Sequence, residues 1–314
     1  MKFAKISIIF LLLVLLMGAV SAADEITDNA LIKDNSIELD DDTNDVTRLK
    51  NTKNDEFNEN EINTFTDFSK DMNESVNVMD LKHNYKFNNK TDKGPIVIDK
   101  NNFIIEGNNF ILDGNNQTNI FAIKGSNITI NNLIFTNGNC KFGGLLDFYG
   151  GGAIISYGSI TLNNVTFINN TAVYSGGDIL ISQGQLNCFD CKFIDSYSVK
   201  GSSIYSTIGS VNIERCTFTS KYTSKWSTIL AGNSKVFIND CIFNNISSDY
   251  APAVYVSGGN VIINNSKFNN LKAYKTAGAV GIKESELIII ENCLFTNTCS
   301  VKNGGAVYID TFGG

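Results

Sequence analysis

Asp190 and Asp240 stand fifty residues apart, with Arg215 midway between them. In a chain that coils once every twenty-five residues or so, positions two coils apart are separated by about 9.6 Å, near the upper limit for the two carboxyls of an inverting glycosidase. A cation set between two anions is also the pattern of a surface ion-pair ladder, and that plainer reading is the expectation here. A lyase acting on polyuronates would need a cationic cleft to meet its enolate-like transition state. Arg48 and Arg215 are the only arginines, and His83 is the only histidine. Ser–His or Cys–His catalysis and histidine-rich metal sites therefore have little to be built from.

The seven cysteines invite a metal or disulfide reading. Cys188 and Cys191 spell C-x-x-C, but no second pair completes a four-ligand zinc set, so neither a metal nor a cofactor is expected. Cys191, Cys216, Cys241 and Cys293 each lie two residues before a phenylalanine, where Leu133, Val165 and Ser266 stand elsewhere in the chain. They are expected to form an inward stack of reduced thiols acting as small apolar groups. Cys140 and Cys299 are assigned to loops open to outside partners.

Those phenylalanines are the anchors of a repeat. Phe135, Phe167, Phe193, Phe218, Phe243, Phe268 and Phe295 are separated by 32, 26, 25, 25, 25 and 27 residues. Seven positions before each stands Ile128, Ile160, Leu186, Val211, Val236, Val261 or Ile288, and alternating apolar residues follow, marking a strand with one buried face. Asn131-Asn132, Asn163-Asn164 and Asn264-Asn265, with Asp190, Arg215, Asp240 and Asn292 in the same register, supply a bend, because Asn and Asp tolerate left-handed backbone. After each anchor comes a polar loop and then a strand led by small residues, such as Gly152-Ala153-Ile154 or Gly304-Gly305-Ala306-Val307. A unit of several short strands without a helix cannot bury its own face, but stacked units can. The pattern predicts an all-β fold: a right-handed, single-stranded parallel β-helix of the pectin-lyase type, with about 25 residues per coil. A propeller, the alternative, needs blades of roughly 40 residues.

In front of the repeats, Met1 to Ala23 carry two lysines, an apolar run and a small-residue end, the form of a cleaved signal peptide that directs the protein to the outside or the cell surface. Residues 24–62 hold 13 acidic and 4 basic side chains, a composition that predicts a disordered linker. Thr64 to Ser75 places Phe65, Phe68 and Met72 on one face, predicting a short helix that caps the β-helix of residues 63–314. The net charge of −7 is carried by the linker, leaving a near-neutral domain with no basic patch for nucleic acid. No later stretch is apolar and long enough to span a membrane. The end at Gly314 interrupts a coil, which predicts a continuation beyond it.

The repeated Phe167-Ile168-Asn169-Asn170, Phe243-Asn244-Asn245 and Phe268-Asn269-Asn270, paired with Gly-Gly-Ala strands, resembles the repeats of chlamydial polymorphic outer-membrane proteins. Residues 103–115 and 128–138 are more similar to adhesin-like β-helix proteins of methanogenic archaea. The resemblance covers about residues 64–314 and implies the β-helix and a surface, adhesin-like role; the membrane-barrel domain of the chlamydial proteins has no counterpart here. Polysaccharide lyases and hydrolases share the fold class and form the alternative. Aromatic residues offer the candidate binding surface: Tyr174, Tyr197, Tyr222, Tyr250 and Tyr274 each fall four to seven residues after an anchor, and Tyr149 and Trp226 lie in similar loops. Aligned by stacking, they would present one flank to a surface polysaccharide or a cell-surface protein. Eight Asn-x-Ser/Thr sequons, at Asn73, Asn89, Asn116, Asn127, Asn164, Asn169, Asn245 and Asn264, fit an exported protein.

Overall fold

Two columns of left-handed residues turn the chain at the same place in coil after coil. Asn132, Asn164, Asp190, Arg215, Asp240, Asn265 and Asn292 have φ between 50 and 57°, and a second column, Asn137, Asn169, Asp195, Asn245, Asn270 and Asn297, has φ between 52 and 56°. Asn suits the bend, and its side chain also links coils. Asn164 Nδ2 donates to Asn132 Oδ1 at 2.8 Å, Asn169 to Asn137 at 3.0 Å, and Asn297 to Asn270 at 3.0 Å. The computed structural model describes residues 63–141 and 150–310. The expected signal peptide, the acidic linker and Tyr149 lie outside those residues.

Between the bends run three parallel sheets, a stacked β-helix of about nine coils. One sheet begins at Val78–Asp80 and Phe103–Glu106 and ends at Leu287–Glu291; a second runs from Ile96–Ile98 to Val307–Asp310; a third runs from Tyr85–Lys86 to Leu294–Ser300. Pairing is in register from coil to coil, so that Phe167 lies against Phe135 and Phe193, and Ile160 against Ile128 and Leu186. The extra residues of the long Phe135–Phe167 repeat fall between Cys140 and Gly150, because Asn139 pairs with Thr171 and Gly150 with Ser175.

The core is a set of columns. Phe135 to Phe268 are fully buried, and with Phe295 they form a continuous stack, with centroids 4.5 to 5.2 Å apart and planes within 9° of parallel. Each offset pair adds about 0.5–1.5 kcal/mol to the burial of its rings. Leu112 and Tyr85 take the same slot in the first coils.

The helix Phe65–Glu74 covers the first coil, burying Phe65, Phe68 and Met72. Thr64 and Asp67 form a capping box, and Asp92 accepts from the N–H groups of Phe65 (3.2 Å) and Thr66 (2.9 Å). Lys100 Nζ donates to Met72 O at the other end (2.7 Å). Orphan groups at both helix ends thus find partners, and Phe68 packs edge-on against Tyr85, 5.1 Å away. No helix among the described residues is long and apolar enough to cross a membrane.

Candidate functional site

The cysteine column faces inward, with Cys191, Cys216 and Cys241 buried as unpaired thiols and Cys293 half-buried; Cys188, also buried, belongs to the neighbouring column between Leu162 and Ile213. Its role is more specific than filling space. The Cys191 N–H donates to Cys216 Sγ (3.3 Å), the Cys216 N–H to Cys241 Sγ (3.5 Å), and the Cys241 N–H to Ser266 Oγ (3.1 Å). Each thiol also donates to the carbonyl two residues before it, as Cys216 does to Glu214 (3.3 Å). A buried N–H beside a left-handed bend would otherwise lack an acceptor, and a thiol or hydroxyl supplies one where valine cannot. Burial pushes Cys188 up, burial and the neighbouring thiol push Cys191 and Cys216 well up, and for Cys241 the Cys216 thiol leads, followed by burial. Such thiols are poor nucleophiles and poor metal ligands. Among the described residues no group of three His, Cys, Asp or Glu side chains could hold a metal ion.

Cys140 corrects the loop assignment. It sits in the short strand Asn139–Cys140, paired with Thr171–Ala172, and is 3% exposed; a two-residue strand leaves no periodic trace in sequence. Cys299 is exposed, but it lies in the strand Leu294–Ser300 rather than in a loop.

Asp190 and Asp240 both occupy the bend column, but Arg215 does not bridge them. Its guanidinium forks onto Asp190, with Nε 2.8 Å from Oδ1 and Nη2 3.1 Å from Oδ2, and its other nitrogen reaches Glu214. That hydrogen bonding holds Asp190 below its usual range, the opposite of what a general acid requires. The ladder is half-formed, and it is solvent-exposed.

The expected aromatic flank breaks into groups. Tyr197 meets Tyr222 edge-on at 6.3 Å, and Trp226 stacks on Tyr250 at 4.7 Å. Tyr174 lies under Lys200 Nζ at 4.7 Å and Tyr274 under Lys272 Nζ at 5.0 Å. Tyr174, Tyr197, Tyr222 and Tyr274 are exposed, while Trp226 and Tyr250 are half-buried.

Alignment on the phenylalanines missed the outer face of the second sheet. Its strands pair in register so that Val97, Ala122, Ile155, Leu180, Tyr205, Leu230, Tyr255, Gly281 and Tyr308 form one outward column without a charge. Trp226 joins it, meeting Tyr255 edge-on at 5.1 Å. Ile155 and Leu180 are almost fully covered, with Tyr157 and Tyr205 packed against them. Burial raises the Tyr205 and Tyr255 hydroxyls to about 12, aided at Tyr255 by the charges of Asp310 and Glu284. The signal was present in triplets such as Ile179-Leu180-Ile181 and Val254-Tyr255-Val256, where polar–apolar alternation lapses; the outward residue is covered at Leu180 and half-buried at Tyr255.

Compared with known protein families, with curated proteins and with solved structures, the chain finds no match in any of the three.

Proposed function

We propose that this is a secreted surface protein whose β-helix is both stalk and adhesive face, and that it holds extended carbohydrate chains along the second sheet. The observation that carries this reading is the aromatic strip of Tyr205, Trp226, Tyr250 and Tyr255. Tyr205 and Tyr255 stand two coils apart in the outward column, about 9.6 Å, Trp226 meets Tyr250 at 4.7 Å and Tyr255 at 5.1 Å, and sugar rings stack on such faces through their C–H groups. Lys200 and Lys275, the latter 5.0 Å from the Tyr250 ring centroid, add donors for hydroxyl or carboxyl groups at the edge of the strip. The resemblance to adhesin-like β-helix proteins agrees with this reading. A polysaccharide-cleaving role finds less support, because Asp190 is committed to Arg215.

Affinity electrophoresis through gels containing neutral and acidic polysaccharides tests the proposal. Retardation by at least one glycan, reduced about tenfold or more in affinity by Trp226→Ala together with Tyr255→Ala, is the expected result. Equal mobility of wild type and variant in every gel defeats it. Release of unsaturated or reducing ends, lost in Asp190→Asn or Asp240→Asn, would establish the enzyme instead.

A further inference from the structure

Among the described residues, the interior holds a polar cluster built around a buried carboxyl, Asp178, that the repeat itself does not supply. Asp178 fills a column position occupied by Ala153 in the coil before, by Ser203 and Thr228 in the two coils after, and by Ala253 and Ala279 further on, and it is fully buried. Its Oδ1 accepts from two neighbours at once, Ser196 Oγ at 2.6 Å and Asn170 Nδ2 at 2.9 Å. Its Oδ2 is buried without a hydrogen bond. Asn170 and Ser196 stand at equivalent places in adjacent coils, each three residues past its anchor phenylalanine. One strand spacing, about 4.8 Å, separates their backbones. The Asn170 N–H reaches Ser196 Oγ at 3.4 Å. Asn170 Oδ1 accepts the Gly138 N–H at 2.8 Å, and Nδ2 also donates to Phe135 O at 3.2 Å. Asn170 and Asp178 are 0% and Ser196 2% exposed.

A hydroxyl, a carboxamide and a carboxyl that touches both, enclosed away from water, are the components of an acyl transfer. We propose that Ser196 and Asn170 join in an internal ester, formed when Ser196 Oγ displaces ammonia from Asn170 Cγ with Asp178 moving the proton. Asp178 takes the hydroxyl proton as the Oγ–Cγ bond forms. The charge that develops on Asn170 Oδ1 is met by the Gly138 N–H already directed at it. Asp178 then returns the proton to Nδ2, the Cγ–Nδ2 bond breaks, and ammonia leaves. The carboxylate is regenerated and nothing is oxidised or reduced. Burial raises Asp178 to about 7, against the lowering effect of Ser196, Asn170 and Ser203, so the carboxyl can both take and give a proton near neutrality. Exclusion of water protects the ester from hydrolysis. The product would tie two neighbouring coils covalently at a point where hydrogen bonds alone hold them.

The test is the mass of the purified full chain, produced without glycosylation. The expected chain is lighter than its sequence by one ammonia. Trypsin has no site between Phe142 and Lys192, so residues 142–192 and 193–200 would stay joined after digestion and separate with hydroxylamine, which cleaves esters. Ser196→Ala and Asp178→Asn, two independent variants, should each restore the full mass and release the two peptides separately. A wild-type chain of unmodified mass, or one carrying the gain of simple deamidation at Asn170, overturns the proposal.

Discussion

Replacing Cys216 separates the two things its side chain does. Its Sγ accepts the Cys191 N–H at 3.3 Å and donates to Glu214 O at 3.3 Å, within a fully packed column. Cys216→Ser keeps an acceptor and a donor in the slot, as Ser266 does two coils further on, and is expected to cost less than about 1 kcal/mol. Cys216→Val keeps the volume, and Val165 shows that the column accepts its shape, but it leaves the Cys191 N–H buried and unpaired. That omission costs about 1–3 kcal/mol. Cys216→Ala adds a cavity to the lost bond and should cost about 1 kcal/mol more than the valine variant. Urea unfolding followed by near-ultraviolet circular dichroism reads the order through the midpoints, with the slope unchanged. The order expected is wild type, serine, valine, alanine. If the valine variant matches the wild type while serine falls below it, the sulfur serves only to fill volume, and the hydrogen-bonded ladder is wrong.

In the folded protein at pH 8, Cys299 should react with a thiol reagent within minutes, while Cys188, Cys191, Cys216 and Cys241 react only on unfolding; Cys140, raised to about 11 by burial, should label slowly and faster as pH rises. Asp92→Ala removes the acceptor for the N–H groups of Phe65, Thr66 and Asn88 and should destabilise the domain by about 2 kcal/mol in the same denaturation assay. Arg215→Ala breaks an exposed fork, so its thermal midpoint should stay within error of wild type at physiological salt, with any difference visible only at low ionic strength.

The parts of this molecule legible in its sequence are those that every coil must repeat. Phe167 and Asn164 sit where alignment places them, because a bend and a stacked ring are solved the same way each time. The helix over Thr64–Ser75 was equally readable, since its cap and its apolar face are local. What the sequence hides is what occurs once. Asn170 reads as part of a polar loop and is fully buried, because its partners Asp178 and Ser196 are supplied by positions whose relation appears only after the coils stack. A carboxyl at Asp178, where the other coils place Ala153, Ser203, Thr228, Ala253 and Ala279, was the available clue. The grouping of the aromatic flank is hidden for a related reason: loop residues follow their own turns, so Tyr197 and Tyr222 meet while Trp226 turns toward Tyr255 on the sheet.

The uniformity of the columns creates a hazard that the odd cluster removes. A folding chain that skipped the coil of Phe193 would still place Phe167 on Phe218 and the bend at Asn164 on the left-handed Arg215, so neither the ring column nor that bend column can distinguish the true neighbour from the next one along. Asn170 and Asp178 can. With the following coil omitted, the residue three past the anchor becomes Lys221 instead of Ser196, and a buried carboxyl and carboxamide lose the hydroxyl that completes them. An unsatisfied polar group in the interior costs about 1–3 kcal/mol, whereas the slip exchanges one ring for an identical one. Asp178 thus acts as a key that sets the threading of the rod, and a variant with alanine at 170, 178 and 196 should refold with more misregistered or aggregated chains even where its native state is no less stable.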